Sequence, residues 1–299
     1  MFRILAIDGG GVRGIFPAHV LALFSSKHGT DLTSVFDLIV GTSTGAIIAA
    51  AAAVGIPLEK VSELYEKRAG EIFTRQRYSV HGLLRSRYRS EPLRRVLTEV
   101  FGDATMADVP GRPILPSTDL SNGNVFVIKS QYMESFIRDA QIPLVEAIMA
   151  SCAAPTYFDP VRLNEYLLGD GGLWSNNPSF VAYTEAIGKL DIPPDEVRIL
   201  SVGTGTGHQF YDVGKAARRT WGLATGWCGS RLIDTILNLQ SRVSANAAML
   251  LLQDKYLRIS FEESGALPLD DNAQIPRLKA KAGEAFTYKS DAIEKFLEL

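Results

Sequence analysis

The chain reads as an α/β protein built on a mainly parallel sheet, because one local pattern occurs twice near its start and short apolar runs recur after it. Phe2 to Ile7 is an apolar run that ends at Asp8 and three glycines, and the stretch beyond, Ile15 to Ser25, has helical character. Val35 to Val40 repeats the arrangement with a run rich in β-branched residues, a turn at Gly41 to Gly45 and the alanine-rich Ala46 to Val54. Strand, glycine turn and helix, twice over, predict parallel strands covered by helices.

The remaining elements follow in order. Further strands are predicted at Pro113 to Thr118, Asn124 to Lys129 and Arg198 to Val202, the last running into GTGTG. Helices are predicted at Leu58 to Phe73, Glu91 to Phe101, Pro143 to Ala153, Ser179 to Gly188, Ser230 to Leu252 and Ser290 to Leu299. Gln76 to Ser90 and His208 to Gly229 read as irregular stretches. No repeat or low-complexity linker divides the sequence, so residues 1–299 form a single predicted domain.

Composition narrows the function. With 299 residues, 46% of them hydrophobic, the chain can bury a large core. Its net charge of -2 lacks the footprint of a nucleic-acid binder, so no nucleic-acid polymer is expected as a partner. Cys152 and Cys228 form no CxxC pair and HExxH is absent, so no metal and no cofactor is expected. The start, MFRILAIDGGG, does not read as a secretory signal, and a cytoplasmic location is expected. Leu38 to Val54 is the most apolar segment, but it is interrupted by Gly41 to Gly45 and falls short of the roughly 20 residues that span a bilayer.

Three motifs carry candidate chemistry. Gly41-Thr42-Ser43-Thr44-Gly45 is a GxSxG between a predicted strand and a predicted helix, the setting of a nucleophile elbow. The helix N-terminus behind Ser43 favours developing negative charge. Taken alone, the pattern also serves plain turns. Asp8 to Gly14, DGGGVRG, ends the first strand and opens the first helix, and its bunched glycine N–H groups can approach an anion as an oxyanion hole requires. Gly9, Gly11 and Gly14 also satisfy GxGxxG, the mark of a dinucleotide-binding oxidoreductase. That reading wants an acidic residue at the end of the next strand, where GTSTG stands instead. Gly169-Asp170-Gly171-Gly172 follows apolar Tyr166 to Leu168 and precedes Asn176-Asn177-Pro178; alone, it is a turn.

Together, in this order and spacing, the three motifs resemble the patatin-like phospholipase family. The similarity extends through Tyr88 to Gly102 (YRSEPLRRVLTEVFG), Ala147 to Phe158 (AIMASCAAPTYF), Gly169 to Pro178 (GDGGLWSNNP) and Ile199 to Gly205 (ILSVGTG). The resemblance implies a three-layer α/β/α sandwich with a nucleophile elbow. It also implies a serine lipid acyl hydrolase working through a Ser43–Asp170 dyad without histidine, with an oxyanion hole from Gly9, Gly10 and Gly11. Arg13 matches the family arginine and is expected on the substrate side. Asp170 would take the hydroxyl proton and later activate water. A carboxylate at its ordinary pKa of about 3.9 is a weak base, so Asp170 is expected where water is partly excluded.

Three alternatives stay open: a conventional triad of Ser43, Asp170 and His208, which keeps the Ser, Asp, His chain order, the oxidoreductase, and a catalytically silent lipid-binding module. On the substrate side, Arg75, Arg77, Arg85, Arg87, Arg89, Arg94 and Arg95 surround Tyr78 and Tyr88, as a surface for anionic head groups or as a face paired with glutamates. Trp221, Trp227, Leu223 and Phe210 could meet a membrane interface or pack in the protein. The compact length is similar to bacterial members, including cyclic-nucleotide-activated phospholipase effectors of anti-phage signalling. That likeness implies a membrane phospholipid substrate, a cyclic-nucleotide activator as a candidate partner, and peripheral membrane association in the active state. The oligomeric state stays open.

Overall fold

The computed structural model describes residues 1–79, 82, 84–207, 220–222, 225–227 and 230–299. Strand β1 (Phe2–Ile7) is followed by a 3-10 turn at Gly11–Gly14, then α1 (Ile15–His28), the short α2 (Leu32–Val35), β2 (Leu38–Gly41), α3 (Thr44–Ala53), α4 (Leu58–Ile72) and α5 (Ser90–Phe101). Next come β3 (Pro113–Asp119), β4 (Asn124–Lys129), α6 (Leu144–Ser151), β5 (Val161–Leu163), β6 (Tyr166–Asp170), α7 (Gly172–Ser175) and α8 (Ser179–Gly188). The chain closes with β7 (Val197–Val202), β8 (Thr206–Gly207), α9 (Ser230–Leu252), β9 (Tyr256–Ile259), β10 (Glu262–Glu263) and α10 (Ile275–Leu297).

The main sheet is eight-stranded, ordered β5-β6-β3-β2-β1-β7-β9 with β4 also paired to β3. From β3 to β9 neighbours run parallel, whereas β4, β5 and β6 join antiparallel. The central strands are apolar at almost every position because helices cover both faces. Alternation sends Leu5, Ile7, Ile39 and Val202 into one core with α1, α3 and α4, and Ile4, Ala6, Leu38, Val40 and Ile199 into a second core with Ala182 and Ala186 of α8. This is the expected three-layer sandwich. α3 is buried along its whole length, and its run of alanines lets it lie close against the sheet.

Several boundaries differ from expectation. Val35 ends a short helix rather than opening a strand, and β2 begins at Leu38, with the Asp37 carboxylate accepting the Arg3 N–H at 2.7 Å. The last helix starts fifteen residues earlier than Ser290, at Ile275. Its buried positions, Ile275, Leu278, Ala282, Ile293 and Leu297, are spaced among lysines and a glycine that mask the apolar face in sequence. β5 and β9 were not expected as strands; each is a few residues long and carries an arginine, Arg162 or Arg258.

Register positions the site. Ile7 of β1 is level with Gly41 of β2 and Val202 of β7, so the loops after these strands converge at one edge of the sheet, where open α/β sheets bind ligands. Val40 is level with Ile114 of β3; Ser43 stands in the turn two residues beyond the end of β2, and Ser117 three residues along β3 from Ile114. Ser117 is the residue that pairs with Asp170 of the antiparallel β6. Strand β3 thus acts as a ruler that brings Asp170 level with Ser43.

Candidate active site

Ser43 sits between β2 and α3 with φ 55° and ψ -122°, backbone space that a serine occupies only under constraint. The turn is tight enough that a Cβ on Gly41 would collide with the Gly45 carbonyl, which accounts for the glycines of the motif. Its backbone is clamped: the Ser43 N–H donates to Ser151 Oγ at 3.0 Å, and that hydroxyl donates to the Pro116 carbonyl at 2.6 Å. Thr42 Oγ1 donates to the Ser175 carbonyl at 2.6 Å.

Asp170 is 3% exposed and lines the same cleft as Ser43, and its Oδ1 accepts the Gly172 N–H at 2.6 Å. Burial pushes the carboxyl up to about 6, although the bonds from Ser43 and Gly172 pull the other way. That value suits a general base operating near neutral pH. Cys152, also against Ser43, is buried, and burial together with the Asp170 charge raises its pKa well above the ordinary thiol value, which keeps it protonated.

The glycine loop divides its three N–H groups. Gly9 N–H donates to the Asn176 carbonyl at 2.9 Å, so this glycine is spent on holding the loop rather than on an oxyanion, a correction to the expected trio. Gly10 and Gly11 line the cleft beside Ser43, and among the described residues neither N–H has an acceptor. They are the available oxyanion donors. Thr204 Oγ1 fixes the loop by donating to the Gly9 carbonyl at 2.7 Å, and a Cβ on Gly10 would fall 2.6 Å from Thr204 Cβ. Arg13 does not face the cleft. It is 2% exposed, and its guanidinium donates to the Gly10 carbonyl at 3.1 Å and the Gly205 carbonyl at 3.2 Å, tying together the loops that follow β1 and β7. Its expected contact with substrate gives way to a positioning role. Asp8, at the end of β1, pairs with Arg258 of β9 at 3.0 and 2.6 Å.

The cleft above Ser43 is apolar, walled by Ile47, Ile72, Phe73, Leu93, Phe158, Leu237 and Leu269. Its free space is about 50 Å³, room for one or two waters and far too little for a fatty acyl chain. Behind the wall residues Phe73 and Phe158, Tyr88 packs on their rings at 5.1 and 5.8 Å between ring centres. Asp270 holds Arg87 and Tyr88 in place, accepting from Arg87 at 2.8 Å and Tyr88 Oη at 2.6 Å.

Most of the basic stretch is engaged inside the protein: Arg87 with Asp270, Arg89 with Glu91, Arg94 with Glu146 and Arg95 with Glu71. The glutamate-paired face therefore accounts for Arg89, Arg94 and Arg95, and Arg87 is held by an aspartate instead. Trp221 and Trp227 lie edge to face at 5.3 Å. Leu223, Phe210, His81 and His208 lie outside the described residues, and so does the triad reading through His208. Ser151, Asn176, Thr204 and Arg258 were missed as site residues by sequence reasoning. Ser151, Asn176 and Thr204 each carried a signal, through their places in the resembling segments AIMASCAAPTYF, GDGGLWSNNP and ILSVGTG, whereas Arg258 carried none.

A strained serine just after a parallel strand, a buried helix behind it, a buried carboxylate on the same cleft and apolar walls above define a serine hydrolase of the nucleophile-elbow class. The family model described as patatin-like phospholipase matches residues 5–183, a span that holds Ser43, Asp170 and the glycine loop, and the chain belongs to that family. It is 37% identical over 227 residues to a cGAMP-activated phospholipase of Vibrio cholerae, a match covering 68% of this chain and 64% of that protein. A cUMP-AMP-activated phospholipase of Escherichia coli is 26% identical over 312 residues, 99% of this chain and 93% of that one. The calcium-independent phospholipase A2-gamma of Oryctolagus cuniculus is 33% identical over 222 residues, 68% of this chain and 28% of that one. Membership of this family sets aside the oxidoreductase reading of Gly9, Gly11 and Gly14. Among the described residues no helix is long and apolar enough to cross a membrane.

Proposed function

We propose that the protein hydrolyses acyl esters of membrane phospholipids, and the observation that carries the reading is the placement of the buried Asp170 carboxylate with Ser43 on one apolar cleft. Asp170 takes the Ser43 hydroxyl proton as Oγ attacks the ester carbonyl, and the resulting oxyanion is held by the N–H groups of Gly10 and Gly11. Collapse breaks the ester C–O bond, Asp170 returns the proton to the departing lysophospholipid oxygen, and the acyl group remains on Ser43. Asp170 then deprotonates a water that attacks the acyl-enzyme, releasing the fatty acid and restoring Ser43.

In the same proposal a cyclic dinucleotide switches the enzyme on. Two relatives are named for activation by such molecules, and the narrow cleft fits a resting state whose walls must part before lipid enters. The protein then works in the cytoplasm, as an antiviral effector that meets the membrane at its surface. Fatty-acid release from mixed phospholipid vesicles tests this, with and without cGAMP, for the wild type and for Ser43→Ala, Asp170→Asn and His208→Ala. Loss in the first two variants with His208→Ala active is expected; loss in all three would replace the dyad by the triad. No release by the wild type under any nucleotide would remove the phospholipid substrate.

A further inference from the structure

The glycine loop beside Ser43 is held at three consecutive peptides. The Gly9 carbonyl, in the peptide that carries the Gly10 N–H, accepts from Thr204 Oγ1, and the Gly10 carbonyl, in the peptide that carries the Gly11 N–H, accepts from Arg13. The third peptide is held through its donor: the Val12 N–H donates to the Leu269 carbonyl at 2.8 Å. The approach is close, since a Cβ on Gly11, whose φ is 57°, would collide with that same carbonyl. Leu269 therefore fixes the last joint of the loop, next to the Gly11 N–H.

What holds Leu269 is the residue after it. Leu269 and Asp270 belong to no strand or helix, so no ladder of backbone bonds orients the peptide between them. The Asp270 side chain supplies the anchor instead: its Oδ2 accepts from Arg87 Nη1 at 2.8 Å and from Tyr88 Oη at 2.6 Å. Both donors are themselves fixed. The Arg87 N–H donates to the Thr156 carbonyl and the Tyr88 N–H to the Tyr157 carbonyl, each at 2.9 Å, and the Arg87 guanidinium lies 4.9 Å from the centre of the Tyr157 ring. The Arg87 and Asp270 side chains are only 16% and 12% exposed, so their charge-assisted bond is shielded from water. Among the described residues Leu269 lines the cleft and Asp270 does not, which leaves Asp270 able to act on the reaction only through its neighbours.

We propose that Asp270 is a positioning residue for the oxyanion hole. It anchors the Leu269 carbonyl to Arg87 and Tyr88, and through that carbonyl and Val12 it sets the direction of the Gly11 N–H. The inference rests on reading Gly10 and Gly11 as the oxyanion donors. Because Tyr88 also packs on Phe73 and Phe158, the same carboxylate ties the aromatic wall of the cleft to the loop that receives the developing charge.

Two measurements on the full chain test this: hydrolysis of p-nitrophenyl butyrate with cGAMP present, and amide hydrogen exchange at Val12. Asp270→Ala should lose kcat on the order of a hundredfold with KM little changed, the effect of misplacing an oxyanion donor. Its Val12 amide should exchange faster while the amides of β7 keep the wild-type rate. Asp270→Asn, whose amide oxygen still accepts from Tyr88 and Arg87, should recover most of both. If the alanine variant unfolds, Tyr88→Phe reads the same link, because it keeps the ring and removes one of the two bonds; Val12 exchange should again quicken. Unchanged Val12 exchange in the folded variants would overturn the proposal, and so would a raised KM at constant kcat, which means that Asp270 only packs the wall, or an asparagine variant as slow as the alanine one. A wild type inert toward the ester and toward a fluorophosphonate would instead end the oxyanion reading of Gly10 and Gly11, and is told apart because Val12 exchange would still respond to Asp270→Ala.

Discussion

The backbone N–H of Ser43 donates to Ser151 Oγ at 3.0 Å, so the nucleophile is held by a second serine at the end of α6, and that hydroxyl passes its own proton to the Pro116 carbonyl of β3 at 2.6 Å. Ser151 is fully buried, so Ser151→Ala leaves a donor and an acceptor without partners. The variant should lose about 2–3 kcal/mol of stability in urea unfolding. Its vesicle assay should show kcat falling with KM little changed, because Ser43 is misplaced while the lipid-binding walls stay intact.

Backbone strain at Ser43 reverses an ordinary order of stability. Alanine at position 43 keeps a Cβ at φ 55°, whereas glycine removes it. Ser43→Gly and Ser43→Ala should both be inactive and unreactive toward a fluorophosphonate. The glycine variant should nonetheless melt higher than the alanine variant, by a margin on the order of 1 kcal/mol of released strain.

Asp170 sets the pH dependence of both rate and stability. The base must be ionised, so hydrolysis should rise with pH through about 6 and then level off. The folded protein holds this proton more tightly than the unfolded chain does, because burial raises the pKa from 3.8 to about 6. The stability it contributes is therefore fully present below 3.8 and is lost as pH rises through about 6. Asp170→Asn lacks that loss, so thermal unfolding followed from acidic to slightly alkaline pH should show the wild type falling relative to the variant by roughly 2–3 kcal/mol.

Asp8 and Arg258 form a buried bidentate pair that joins the carboxyl ends of β1 and β9, with Ser201 Oγ accepting from the same guanidinium at 2.6 Å. Removing one partner strands the other. Arg258→Ala should cost about 3–5 kcal/mol, and Asp8→Asn combined with Arg258→Met should recover part of that loss, as a double-mutant cycle in denaturant would measure.

The sequence by itself determined β1 and β2, the glycine turns after them and the placing of Ser43 in a candidate elbow, because these depend on local periodicity and on a few residue types that a tight turn requires, whereas Asp170 stood out only through the resemblance of the three motifs together. It also fixed α8 and α9 to their end residues, since propensity and pattern agree there. What only the tertiary structure decided were the partners of those residues. Gly9 looks the same as Gly10 in a run of three glycines, and a carbonyl from Asn176, far along the chain, is what takes its N–H out of the oxyanion hole. Arg13 reads as a cation for substrate until the loop after β7 offers it a carbonyl. The roles of Ser151, Thr204 and Arg258 cannot be read from their neighbours along the chain, even though Ser151 and Thr204 stand in resembling segments, because they arise from hydrogen bonds across the sheet edge. The raised pKa of Asp170 has the same origin: dehydration is a property of the packed interior, and it comes into being only when α3, α6 and β6 close around the carboxylate.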